Sequence, residues 1–215
     1  MKRGIIFDLD GTLWDSSDTV VDSWNVVLQK APEETKPCTI EWMQRLMGKT
    51  IVELEEAFLG YLPEERRHEL MAECLSFEVG YVEEHGGKLM PGVREALEIL
   101  KKDYHLSIVS NCQKGYVPAF FKSMNMEEYF DDYEENGRTG LVKADNIRLV
   151  IDRNHLDDAI YVGDTMQDYN SSMQAEVPFI HAAYGYGQVP EGTPEINSIL
   201  ELPETAAAIF KKSEE

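Results

Sequence analysis

Four short apolar runs, each closed by a polar residue, constrain this chain more than any other feature. Ile5-Ile6-Phe7 ends on Asp8, and Leu106 with Ile108-Val109 ends on Ser110-Asn111. Ile160-Tyr161-Val162 ends on Gly163-Asp164, and Phe179-Ile180-His181-Ala182-Ala183 ends on Tyr184-Gly185. The runs are β-rich and do not alternate with polar residues, as strands buried on both faces should not. Helical spacing lies between them: Val93, Ala96, Leu97 and Leu100; Val117, Phe120, Phe121 and Met124; Ile147, Val150 and Ile151. Strands alternating with helices imply an α/β fold, a Rossmann-like parallel sheet flanked by helices. Such sheets bind ligands beyond the carboxyl ends of their strands, which is where the closing polar residues fall.

The stretch from residue 16 to 87 has a different character. Ser16-Ser17-Asp18 offers N-caps for a helix with Val20, Val21, Trp24, Val27 and Leu28 on one face, stopped by Ala31-Pro32. Trp42, Met43, Leu46 and Met47 fit a second helix, and Thr50-Ile51-Val52-Glu53 reads as a capping box opening a third. Pro63 suits the first turn of a longer fourth, running towards Gly80, before His85-Gly86-Gly87 breaks the chain. The expected organisation is an α/β core of residues 1–15 and 88–215 carrying an all-helical cap domain, 16–87. A length of 215 residues fits one core with such an insert. The end, from Lys211 to Glu215, reads as a frayed tail.

Acids outnumber bases 40 to 20, giving a net charge of -20. A duplex-binding surface needs clustered Lys and Arg, so nucleic acid is an unsuitable partner. No apolar run approaches a membrane span, and the short run before Asp8 is no signal-peptide core, so a cytoplasmic protein is expected. Cys38, Cys74 and Cys112 show no metal-finger spacing and read as free thiols. His68, His85, His105, His155 and His181 form no metal-ligand pattern.

The sharpest local feature is Asp8-Leu9-Asp10-Gly11-Thr12-Leu13. In extended chain, Asp8 and Asp10 project to one side while Leu9 points to the core. Gly11 lets the chain turn away. A carboxylate at a phosphate-binding edge can attack phosphorus and form an acyl phosphate. A second carboxyl can protonate the leaving oxygen and later deprotonate water. Taken alone, Ser110-Asn111 also reads as a plain turn, and Gly163-Asp164 as a strand-to-helix turn with Asp164 as N-cap.

The hexapeptide resembles the first motif of the haloacid dehalogenase superfamily in its phosphatase form. Ile108-Val109-Ser110-Asn111 resembles the second motif, Lys143 fits the third, and Gly163-Asp164-Thr165-Met166-Gln167-Asp168 resembles the fourth. Met90-Pro91-Gly92-Val93 is similar to the re-entry from a small helical cap. Ala182-Ala183-Tyr184-Gly185-Tyr186-Gly187 is similar to the phosphoglycolate-phosphatase-like branch. The resemblance implies a nucleophile at Asp8, an acid-base at Asp10, and a lysine, Lys143, pairing with nucleophile and phosphate. It implies phosphate contacts from Ser110 and Asn111, and Mg²⁺ held by Asp8, Asp10 through its carbonyl, Asp164 and Asp168. The family often follows its lysine with Pro-x-Pro. Here Ala144-Asp145-Asn146 follows, so a surface lysine with Asp145 capping the next helix stays open.

The expected function is Mg²⁺-dependent hydrolysis of a small phosphorylated metabolite through an aspartyl phosphate, with the cap closing as a lid. Arg45 and Lys49 are candidate contacts for a second anionic group, against a reading as solvated charges. Trp14, Trp24 and Trp42 either line the cleft or pack the core. A sugar phosphomutase would keep every core motif. A dehalogenase would lack Asp10, and a signalling receiver would lack the insert. A non-catalytic phosphate-binding protein on the same fold is the remaining rival. Nothing in the pattern demands an oligomer, so a monomer or weak homodimer is expected.

Overall fold

The computed structural model describes residues 1–32 and 35–212. Its main sheet contains β1 (Arg3–Phe7), β4 (His105–Ser110), β5 (Asp132–Glu135), β6 (Asp158–Gly163), β7 (Phe179–Ala182) and β8 (Glu195–Ile196). The order is β5-β4-β1-β6-β7-β8 and every pairing is parallel. β1 therefore sits inside the sheet, with Phe7 in register with Ile108 of β4 and Val162 of β6. Residues on one strand alternate between two apolar cores. Ile5 and Phe7 enter one, while Ile6 enters the other. Both faces are thus buried, which is why these strands read as unbroken apolar runs.

Helices cover both faces. α5 (Val93–Leu100), α6 (Tyr116–Met124) and α10 (Leu202–Lys212) close the first core. α8 (Lys143–Asn154) and α9 (Met166–Ala175) close the second. A one-turn helix, α7 (Asn136–Thr139), follows β5. α10 continues through Lys212, so Lys211 and Lys212 are helical where a frayed tail is expected, and residues 213–215 of that expected tail lie outside the described residues.

Between β1 and the remainder of the sheet, a two-residue strand β2 (Trp14–Asp15) pairs antiparallel with β3 (Lys88–Leu89). Between these short strands stand α1 (Ser17–Leu28), α2 (Ile40–Gln44), α3 (Ile51–Leu59) and α4 (Glu64–His85). The hairpin-like pair forms the neck of this helical segment and was not foreseen, being too short to leave a pattern. The box opening α3 is present, with Thr50 accepting from the Glu53 amide and Glu53 accepting from the Thr50 amide. Pro63 precedes the first turn of α4 instead of lying within it. α2 is shorter than its apolar spacing predicts. It ends at Gln44, leaving Leu46 and Met47 in turns whose side chains face a cavity. Ser16 stands at the start of α1 but makes no capping bond; its hydroxyl is used elsewhere.

Candidate active site

The carboxyl ends of β1, β4 and β6 converge. Asp8 follows β1, and its backbone amide donates to the carbonyl of Val162 (2.8 Å), fixing the turn-off point. Asp8 is buried, as are Asp10, Ser110, Asn111, Lys143, Asp164 and Asp168. Lys143 opens α8 and reaches across the second core face. Its Nζ donates to Asp8 Oδ1 (2.8 Å) and to Asp168 Oδ1 (2.6 Å). The lysine is therefore no surface charge, and Asp145 pairs with Arg148 (2.7 Å), three residues on in the same helix. Burial disfavours the Lys143 ammonium, but Asp168 and Asp8 outweigh it and hold its pKa well above the usual value.

Asp168 is placed by the N-terminus of α9. The N-cap is Thr165, not Asp164: the Thr165 hydroxyl oxygen accepts from the Asp168 amide (3.2 Å), and the Thr165 amide donates to Asp168 Oδ2 (3.0 Å). The Thr165 hydroxyl also donates to that oxygen (2.6 Å). Tyr161 from β6 donates to Asp168 Oδ1 (3.3 Å) and to the Val109 carbonyl (2.9 Å). Both Asp168 oxygens are consequently occupied.

Asp164 faces Asp8 from the neighbouring strand. Thr12 donates to its Oδ1 (3.3 Å) and the Tyr186 amide to its Oδ2 (2.7 Å). His181 Nε2 lies 3.2 Å from the Asp164 carbonyl oxygen. Gly11 has a φ of +81°, and a Cβ there would collide with the Asp164 carboxylate. The glycine thus supplies both the turn and the close approach.

Carboxylate oxygens of Asp8, Asp164 and Asp168 lie within 4.8 Å of one another. Three buried acids share one ammonium, so the cluster lacks positive charge. Burial, then the Asp168 charge, drive the Asp8 carboxyl well above its usual range despite Lys143. Burial and Asp168 push Asp164 up to about 7. A hard divalent cation fits the oxygen donors of Asp8 and Asp164 in this cluster, which is short of charge compensation, while Asp168, expected as a further ligand, has its oxygens engaged by Lys143, Tyr161 and Thr165.

Asp10 lies in a separate environment. Its Oδ1 accepts from the Ser16 hydroxyl (2.7 Å) and the Tyr116 hydroxyl (3.1 Å). Burial raises its pKa to about 6, while those hydroxyls hold it from rising further. The Asp10 side chain is outside the acidic triplet. Asp8, Asp10, Ser110 and Asn111 line one end of a cavity of about 60 Å³. Val20, Trp24, Met43, Leu54 and Leu75, from α1–α4, supply much of its apolar wall. The Asn111 side-chain Nδ2 donates to the Gly48 carbonyl (2.9 Å), joining the end of β4 to the helical segment.

Lys49 lines the cavity and lies 3.9 Å from Glu53, with 40% of its side chain exposed. Arg45 is exposed and does not contribute to the wall. Of the tryptophans, Trp24 lines the cavity. Trp14 is core, edge-on to Phe120, and Trp42 stacks at a tilt on Phe58. Ser16, Tyr116, Glu78 and Gln113 were not anticipated at the site. Tyr116 and Gln113 follow the second motif closely, which is the signal that would have found them; Glu78 lies among other acids on α4 and has none.

Comparison with known proteins finds relatives along most of the chain. Curated relatives include the phosphoglycolate phosphatase of Nitrosospira multiformis, 25% identical, with 86% of this chain and 85% of that protein covered. The phosphoglycolate phosphatase of Rhodobacter capsulatus is 27% identical, with 88% of each covered. A solved structure of a predicted phosphoglycolate phosphatase from Haemophilus somnus superposes with a TM-score of 0.82 at 20% identity, covering 95% of this chain and 98% of that one. CbbY from Rhodobacter sphaeroides, solved with xylulose-(1,5)bisphosphate, superposes with a TM-score of 0.74 at 17% identity, covering 94% and 96%. These structural likenesses establish the shared fold. The family model for haloacid dehalogenase-like hydrolases matches residues 5–182, from the first central strand to the fourth strand run, and the chain belongs to that family.

Proposed function

We propose that this chain is a Mg²⁺-dependent phosphatase that removes phosphate from a small metabolite through an aspartyl phosphate on Asp8. The observation that carries this reading is the division of labour between two carboxylates on one cavity. Asp8 is bound by the Lys143 ammonium, while Asp10 is bound by the neutral hydroxyls of Ser16 and Tyr116 and, among the described residues, by no cation. A paired carboxylate suits a nucleophile, and a carboxyl raised to about 6 suits an acid-base. The curated relatives, named as phosphoglycolate phosphatases, support the same reaction class.

In this scheme Asp8 Oδ attacks phosphorus and the ester oxygen leaves with a proton from Asp10. Asp10 then takes a proton from water, which attacks the acyl phosphate and frees Asp8. Lys143 stays charged throughout and offsets negative charge at Asp8. Ser110 and the amides beyond Asp8 hold phosphate oxygens. Asp8, Asp164 and the Asp10 carbonyl would hold Mg²⁺; when bound, it offsets the joint charge of phosphate and carboxylates. Asp168, with both oxygens engaged, serves to position Lys143. Residues 16–87 form the cap that covers the site, on a core of 1–15 and 88–215.

The test is phosphate release from a panel of small phosphomonoesters, with and without Mg²⁺, for the wild type and Asp8→Asn. Release that requires Mg²⁺ and disappears in the variant is expected. Release that persists undiminished in Asp8→Asn would sink the scheme.

A further inference from the structure

One buried acid on the cavity is not used by the chemistry above. Glu78, on α4, is 4% exposed and lines the same cavity as Asp8 and Asp10. Its Oε1 accepts from Gln113 Nε2 (2.8 Å), and its Oε2 accepts from the Trp24 indole. Among the described residues it has no cationic partner. Burial raises it to about 7, with Asp10 adding to the effect. A buried carboxyl without a cation is costly unless something at the site compensates it. Each Oε atom retains acceptor capacity beyond its one bond.

The rest of the wall sharpens the chemistry. Apolar side chains dominate it, and beyond Asp8, Asp10, Ser110 and Asn111 its polar side chains are Glu78, Gln113, Tyr116 and Lys49. Lys49 is the sole cation among the cavity's described lining residues, and it is partly solvated. A leaving group with a carboxylate would have to desolvate beside Glu78 and Asp10. A hydroxyl or ammonium would instead donate to Glu78. The cavity of about 60 Å³ must hold the phosphoryl group as well, which favours a small substrate.

Resting on the phosphatase reading, we propose that Glu78 selects small phosphomonoesters whose leaving group carries a hydrogen-bond donor and no negative charge. This runs against 2-phosphoglycolate as the preferred substrate. Glu78 acts here by attraction to a donor and by repulsion of a carboxylate together.

Three near-isosteric esters test it: 2-hydroxyethyl phosphate, 2-aminoethyl phosphate and carboxymethyl phosphate, which is 2-phosphoglycolate. For the wild type with Mg²⁺, kcat/KM should be at least about tenfold higher for the hydroxyl or amino ester than for the carboxylate ester. Whichever of the two is faster identifies the donor. Glu78→Gln should narrow that ratio, chiefly through KM. A clasp that merely held α4 to Gln113 would change all three rates alike and leave the ratio unmoved, which would overturn the assignment to Glu78. The carboxylate ester as the best wild-type substrate would overturn the proposal even if the variant fails to fold. No release from any of the three, or from p-nitrophenyl phosphate, would remove the phosphatase reading and this proposal with it.

Discussion

Asp8 and Asp10 are two positions apart, yet their partners come from opposite sides of the site. Asp8 takes its lysine from α8 on one face of the sheet, and Asp10 takes its hydroxyls from Ser16 before α1 and Tyr116 on α6. The sequence pattern implied that both acids can face one side, and both line the same cavity although β1 ends at Phe7. It did not show what each would touch, because those partners are brought in by tertiary packing. Tyr116 supplies a direct test. Its hydroxyl lowers the Asp10 pKa, so Tyr116→Phe should raise it. In the proposed scheme Asp10 must be protonated to release the leaving group, so the alkaline limb of the kcat profile should move to higher pH. A pH series on the variant with one ester measures this, and an unshifted or acid-shifted limb would contradict the assignment of Asp10. Asp10→Asn should slow hydrolysis of alkyl esters roughly 10²–10⁴-fold. It should slow phosphoryl transfer from p-nitrophenyl phosphate less, since that leaving group needs no proton.

At the scale of elements, the N-terminus of α9 joins stability to the site. Thr165 caps the helix and at the same time binds the Asp168 carboxylate that anchors Lys143. Thr165→Ala should therefore cost about 1 kcal/mol in chemical denaturation. It should also lower kcat while leaving Asp8 in place; a stability loss with unchanged kcat would uncouple the cap from Lys143. Legibility also differed among elements. β1, β4, β6 and β7 were plain because both their faces are buried in apolar cores. β5, Asp132–Glu135, was hidden because it is an edge strand carrying three acids, two of which pair with Arg153. β8 is two residues long. α2 was overread because Leu46 and Met47 are apolar for the cavity's sake and not for a helix face. Glu78 was unreadable since nothing in a run of acids marks the one that points inward.

For the whole molecule, charge is the governing quantity. The chain carries a net charge of -20 and buries three acids around one lysine. Asp164 has a usual value of 3.8 and a folded value of about 7. Between those pH values the unfolded chain binds fewer protons than the folded one, so metal-free stability should fall as pH rises through that window. A cation bound at the cluster would replace the missing proton. At a hundredfold excess over its Kd, Mg²⁺ should stabilise the fold by about 2.7 kcal/mol, roughly 5–10 °C in Tm for a chain of this size. The gain should be present at pH 8 and much smaller at pH 5, where protons already occupy the acids; an equal shift at both pH values would contradict binding at this cluster. No helix among the described residues is long and apolar enough to cross a membrane. The most direct test of the central claim is acid quenching during turnover with Mg²⁺, followed by peptide mass mapping. The account predicts one phosphoryl group on the peptide containing Asp8, absent from Asp8→Asn. Steady turnover with no phosphoryl group on that peptide, and with Asp8→Asn still active, would contradict it.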